Sequence, residues 1–133
     1  MPKVKINNSQ GLVQETGGGV ALFGATQALT ATSTTAADSK ILATTSLCLV
    51  TSTNNARKVQ LPATSGLDAG HTVIVATVGS HDVIIEKQAA GDRINGVNGA
   101  LTIGESTGVK FIYSGTASPG WIAVVGDQAT PPA

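Results

Sequence analysis

Charge is what this sequence has least of. Only 12% of its 133 residues are Asp, Glu, Lys or Arg, against roughly 25% in an ordinary soluble protein. Eight basic side chains balance eight acidic ones to a formal net charge of +0. The surface must therefore be made largely of Thr, Ser, Asn, Gln and Gly. A groove for nucleic acid needs clustered cations, and here the Lys and Arg are scattered with no aromatic interleaving, which argues against nucleic acid as a partner. A soluble monomer ordinarily keeps its neighbours away with charge. This composition points to an exterior that lies against other protein, the alternative being a neutral, Thr-rich monomer.

Aromatic residues are nearly as scarce at 3%: Phe23, Phe111, Tyr113 and Trp121. The core must be aliphatic. The single cysteine, Cys48, has no partner for an internal disulfide, and its apolar context LCLV reads as a small buried core residue. No run approaches the ~18 apolar residues of a membrane-spanning helix, so no membrane is expected as a partner. The opening MPKVKINNSQ lacks the apolar stretch of a secretory signal, and synthesis in the cytoplasm is the expectation.

What is present is a series of short apolar runs separated by turn residues. Residues 1–35 are the least regular part, with Lys3-Val4-Lys5-Ile6, Leu12-Val13, the triplet Gly17-Gly18-Gly19, Val20-Ala21-Leu22-Phe23 and a Thr/Ser-rich run. Gly triplets and Thr/Ser runs weaken both helix and strand, so this third reads as an extended N-terminal arm. From Ala36 the pattern changes. A short helical start at Ala36–Ser39 gives way to ILATTSLCLVTST, read as a strand, and Lys58–Leu61 alternates until Pro62 removes a donor and ends it.

Thr72–Val78 is apolar on both faces, which reads as a central or covered strand. Gly79-Ser80-His81-Asp82 has the length and chemistry of a hairpin loop, making Val83–Glu86 its antiparallel partner. Ala100–Ile103 and Val109–Tyr113 follow, the latter with Val109, Phe111 and Tyr113 on one face, and Trp121–Val125 closes the series. This spacing predicts an all-β fold, an antiparallel β-sandwich or jelly-roll-like barrel over residues 36–126, with a polar C-terminal tail at 127–133.

Several patterns carry chemistry only by spelling. Gly104-Glu105-Ser106-Thr107-Gly108 matches G-x-S-x-G, but that elbow requires strand, serine, helix, and here strand follows strand with both histidines upstream; a polar turn is the reading. His71 and His81 bracket one strand, too far apart to share a metal within one chain; copies of one His meeting around a threefold axis are the alternative to the reading as exposed turn residues. Asp68, Asp82 and Asp92 lie in Gly-containing loops, where a carboxylate stabilises a turn; the spaced ligands of a calcium loop are absent. Gly17–Gly19 is not followed by Gly-Lys-Ser/Thr and is no phosphate loop, and Asn7-Asn8-Ser9 is a glycosylation triplet without secretory context. No catalytic, cofactor-binding or metal-ligating residue is assigned, and no cofactor is expected.

The succession Val59-Gln60-Leu61-Pro62-Ala63, Thr72–Val75, Val83–Ile85, Gly91-Asp92-Arg93-Ile94-Asn95-Gly96, Phe111 and Trp121 resembles a β module of virion proteins of tailed bacteriophages, over roughly residues 58–126. Members of this look include head decoration (cement) proteins and fibre or spike segments, commonly trimeric. The resemblance implies a structural role: a trimer on the capsid surface, made in the bacterial host cytoplasm, whose partners are the major capsid protein and its own copies. On that expectation the capsid contacts fall on the arm (Lys3, Lys5, Leu12, Val13, Val20, Leu22 and Phe23), and Phe111, Tyr113 and Trp121 are candidates for the trimer interface. Core packing is the competing role for Trp121. The alternative is a receptor- or glycan-binding module of a fibre or spike, with Trp121, Tyr113 and loop Asp and Asn residues facing a sugar.

Overall fold

The computed structural model describes residues 3–17 and 24–125, and the fold they build is all-β. Its strands are β1 (Lys3–Asn7), β2 (Gly11–Thr16), β3 (Ala25–Ala31), β4 (Thr45–Ser52), β5 (Arg57–Gln60), β6 (Thr72–Thr77), β7 (Val83–Glu86), β8 (Leu101–Ile103), β9 (Gly108–Tyr113) and β10 (Trp121–Val124). A single 3-10 turn at Ala36–Asp38 stands where a short helical start was expected. The strands form three sheets, none closed into a barrel: the pair β1-β2, a five-stranded sheet ordered β10-β9-β6-β4-β3, and a three-stranded sheet ordered β5-β7-β8.

The expected antiparallel arrangement holds for only part of this. Strand β3 pairs with β4, β4 with β6, and β5 with β7, all in parallel. The reason lies in the route of the chain, which passes from β4 in the larger sheet to β5 in the smaller, back to β6, then to β7. Successive passes through one sheet therefore run the same way, as in a coil. A further parallel bridge, Lys40 to Gln60, puts the segment after the 3-10 turn beside β5, with Gln60 N–H donating to the Ser39 carbonyl and Ile41 N–H to that of Gln60, each at 2.9 Å. Antiparallel pairs β7-β8, β6-β9 and β9-β10 close the other end.

Three expectations are corrected by this route. The hairpin of Thr72–Val78 with Val83–Glu86 does not form, because β6 and β7 belong to different sheets; Gly79, at φ +116°, begins a crossing and not a hairpin turn. The alternating rows Val73, Val75 and Val83, Ile85 enter one hydrophobic cluster from separate sheets, so burial is satisfied without their pairing side by side. Nor does the arm run to residue 35. Strand β3 is hydrogen-bonded into the five-stranded sheet, and the residues before it include a hairpin, β1-β2, not a plain extended leader. Parallel pairing likewise replaces the jelly-roll expectation. The proposed tail, 127–133, lies outside the described residues.

The core is mostly aliphatic, with Cys48, Val50, Val73, Val75 and Val109 from the larger sheet and Val59, Val83, Ile85 and Ile103 from the smaller, but it also takes in Phe111, Tyr113 and Trp121, so the expectation of an aliphatic core holds only in part. Each such side chain contributes about 1.5–3 kcal/mol when fully buried. Strand β9 buries Val109, Phe111 and Tyr113 on one face, as its alternation predicts. Trp121, fully buried, closes one end against Tyr113 at a centroid distance of 5.5 Å. The loop Gly91–Gly96 is bonded to it: Trp121 N–H donates to the Arg93 carbonyl (2.8 Å), Asn95 N–H to that of Trp121 (2.7 Å), and Ala123 N–H to Asn95 Oδ1 (2.9 Å).

Gly120 makes this closure possible. Its φ is +76°, and a Cβ there would fall on the Arg93 backbone. Replacing it with Ala adds left-handed strain to a clash with an immovable carbonyl, so Gly120→Ala should lower stability by about 2–4 kcal/mol, read as a reduced urea midpoint. An unchanged midpoint would show that the Arg93–Trp121 contact does not support the fold.

Candidate interaction surface

The larger sheet has two faces, and only one is accounted for by the core. Alternation puts Leu47 and Leu49 of β4, Ile74 and Ala76 of β6, Ile112 of β9, and Ile122 and Val124 of β10 on the other face. Register joins them into rows: Leu47 beside Ile74, Ile74 beside Lys110, Lys110 beside Val124; Leu49 beside Ala76; Ile112 beside Ile122. Ile74 is 41% and Val124 50% exposed, and the others named are half-buried. A sheet with one solvated face normally shows polar residues there. Here Lys110 is the one charged residue of these strands on that face, with Thr26, Thr30, Thr51 and Thr72 toward its margins, and so large an apolar share on an outer face makes it the candidate interaction surface.

The hairpin β1-β2 is a second such surface. Asn7 sets its turn by accepting from Ser9 N–H (3.1 Å) and Gln10 N–H (2.7 Å), and Gly11 follows at φ +72°. Pairing of Val4 with Gln14 and Ile6 with Leu12 puts these four on one face, free of charge. Val4 and Leu12 are exposed, and Ile6 is 80% exposed. The opposite face carries Lys3 and Lys5, which reach Glu15 at 3.2 and 2.6 Å. The hydrogen-bonded Lys5 ammonium, then that of Lys3, holds the Glu15 carboxyl below its ordinary value. Such exposed pairs stabilise weakly; their contribution is present above the ordinary carboxylate range and is lost as pH falls through the lowered value.

The sequence-derived candidates divide accordingly. Lys3 and Lys5 are engaged with Glu15 and are not bare cations awaiting an acidic surface. Leu12 is exposed as a contact requires, Val13 pairs with Lys5 in the hairpin ladder, and Val20, Leu22 and Phe23 lie outside the described residues. Phe111 and Trp121 are 0% exposed and Tyr113 7%, all within the core of their own chain. That burial leaves them no surface for a neighbouring copy, and a ring without exposed area cannot stack on a sugar, so both interface and sugar-stacking roles are corrected to core packing. The residues missed were Val4, Ile6 and the outer row of the large sheet. Their signal was present, since Thr72–Val78 is apolar on both faces.

The remaining polar groups serve turns. Ser106 lies in the turn between β8 and β9 at φ +50° and donates to the Gly79 carbonyl at 3.2 Å. Asp92, buried, accepts from Thr64 Oγ1 at 2.8 Å; Asp82 Oδ1 accepts from Ala56 N–H at 3.1 Å. His71 packs edge-on to Trp121, 6.3 Å between centroids. Among the described residues no three His, Cys, Asp or Glu side chains gather where a metal could sit. A shallow groove of about 140 Å³ between Leu101, Ile103, Val109 and Val125 offers apolar walls and no ionisable group. No protein-family model and no curated protein matches the chain.

Burial pushes the Cys48 thiol from 9.0 up to about 11. Because the folded value is the higher one, the unfolded chain loses its proton first as pH rises. Stability should be insensitive to this group below about pH 9 and fall between 9 and 11. The check is the urea midpoint across that range, with the decline smaller in Cys48→Ala; equal declines would place the titration elsewhere.

Proposed function

We propose that this chain is a structural virion protein of a tailed phage, a capsid decoration or cement protein that binds the head exterior as a trimer and ties capsid subunits together. The observation that carries the reading is the uncovered apolar face of the five-stranded sheet, Leu47, Leu49, Ile74, Ile112, Ile122 and Val124, on a chain whose charges are few and balanced. A surface of that composition is suited to lie against another copy of itself. In this reading the five- and three-stranded sheets are the two leaves of a sandwich, the outer face of the larger leaf makes the threefold contact, and the hairpin β1-β2 reaches the major capsid protein through Val4, Ile6 and Leu12.

Trimerisation and capsid binding then reinforce one another. Three hairpins held on one body present each other at high effective concentration, so a weak contact per hairpin adds up to durable attachment without any single strong site. The turn-forming roles of Ser106, Asp82 and Asp92 fit a protein whose polar side chains hold loops in place. The resemblance of residues 58–126 to phage virion β modules supplies the setting.

Removing residues 2–17 deletes the hairpin and spares β3, which belongs to the sheet. The truncated chain should retain the copy number of the parent, three or a multiple of three by light scattering, and lose co-sedimentation with capsids that lack the protein. Undiminished binding by the truncated chain would remove the hairpin from the capsid contact. A monomeric parent that ignores capsids and is retained on a glycan array would instead favour a fibre-tip receptor module.

A further inference from the structure

Strand β3 stands at the end of the five-stranded sheet, and no described strand pairs with its outer side. Thr53 N–H donates to the Ala31 carbonyl, so in the parallel ladder the backbone groups of Ala31, Leu29 and Gln27 point to β4. Those of Thr26, Ala28 and Thr30 therefore point outward. The Ser39 hydroxyl occupies one lone pair of the Thr30 carbonyl at 3.2 Å, leaving the other. Natural sheets defend such an edge with Lys, Pro, a bulge or a covering element. In ATQALTA there is no charge and no Pro, and the only irregularity lies at its first step, between Ala25 and Thr26.

The same strand is also the uncapped end of the coil. Strands β3, β4 and β6 stack in parallel, and antiparallel β9 and β10 finish the far side, but no described strand finishes the near one, where the segment Ser39–Leu42 meets β3 only through the Thr30 carbonyl and the Gln27 side chain. Stacked architectures need a cap at each terminal repeat, and an end without one joins.

We infer that β3 pairs with β3 of a second copy across a twofold axis through Ala28, extending the two five-stranded sheets into one. The sequence itself names this occupant. Ala25-Thr26-Gln27-Ala28-Leu29-Thr30-Ala31 reads nearly the same in both directions about Ala28, as an isologous antiparallel pair requires. That register sets Thr26 opposite Thr30, a favourable cross-strand pair, Ala25 opposite Ala31, and Gln27 opposite Leu29. It brings the outward N–H and C=O groups of Ala28 together with their symmetry mates. Leu29, half-buried against the core, gains cover from the partner strand. The contact uses an edge and not the sheet face assigned to the trimer, so it would link one trimer to the next, and it stands without that assignment.

The register gives a test that simple loss of an edge would not. Thr26 and Thr30 are both exposed, on the outer face beside Leu47 and Thr51, so charges there leave the core untouched, and a Lys/Glu variant with the same number of charges on that face separates loss of edge pairing from an effect on the face. Thr26→Lys with Thr30→Lys sets like charges opposite each other twice and should halve the solution mass measured by light scattering. Thr26→Lys with Thr30→Glu sets opposite charges face to face and should restore it. Thermal unfolding confirms that both variants fold, and hydrogen exchange on the unmodified chain gives a second reading, with Thr26 and Ala28 amides slowed at least tenfold relative to the double-lysine variant. Equal masses for the parent and the double-lysine variant, failure of the Lys/Glu pair to recover, or fast exchange at Thr26 and Ala28 in the parent each overturns the inference. Failure of the trimer alone would appear differently, as a parent of two chains falling to one.

Discussion

A single aliphatic core filled from two sheets is the constraint on which the other features rest. With aromatic residues at 3%, Phe111, Tyr113 and Trp121 fill only one part of the space, and the rest of the volume comes from many small branched side chains arriving in rows. The chain supplies them by crossing between sheets at each step from β4 to β7, so that Cys48 and Val50, then Val59, then Val73 and Val75, then Val83 and Ile85 enter in turn. That order of delivery makes neighbouring strands parallel. Parallelism in turn leaves an end to the stack at β3, and the use of the inner rows by one core leaves the outer face of the large sheet with no cover from the described residues.

Closure at the other end depends on backbone more than on side chains. Trp121 is held by hydrogen bonds to Arg93 and Asn95, a contact that only a glycine at position 120 permits. The loop residues that look most like chemistry, Asp82, Asp92 and Ser106, are spent on neighbouring backbone or hydroxyl groups. What distinguishes the surface, among the described residues, is the apolar area of the large sheet's outer face and the strand edge at β3, and both suit the assembly proposed for this chain.

Much of this was legible from the sequence, and the failures share a cause. Alternation located β5 with its stop at Pro62, and it correctly set Val109, Phe111 and Tyr113 on one face of β9. Period reports which face of a strand is buried; it does not report which strand lies beside it. The four residues Gly79–Asp82 are long enough to cross between sheets as well as to turn a hairpin, and only the joint burial of the β6 and β7 rows decides between them. Strand β3 was hidden by its composition, because Ala and Thr carry little hydrophobic signal and its pairing with β4 is backbone work. The outer face was visible in Thr72–Val78 as a strand apolar on both sides, but from sequence that pattern looks the same whether the cover comes from the same chain or from another.

Whether another chain covers that face can be asked at one atom. Cys48 is buried, its thiol held protonated up to about pH 11, so an introduced surface thiol would be the reactive one. In Ile74→Cys the new thiol sits at the centre of the apolar face, and maleimide labelling followed against protein concentration reports its access to solvent. Labelling that slows at least tenfold as the protein assembles, and recovers on dilution, is the result expected of a face buried between copies. Labelling at the rate of a free, exposed thiol at every concentration, on assembled protein as on dilute, would contradict it.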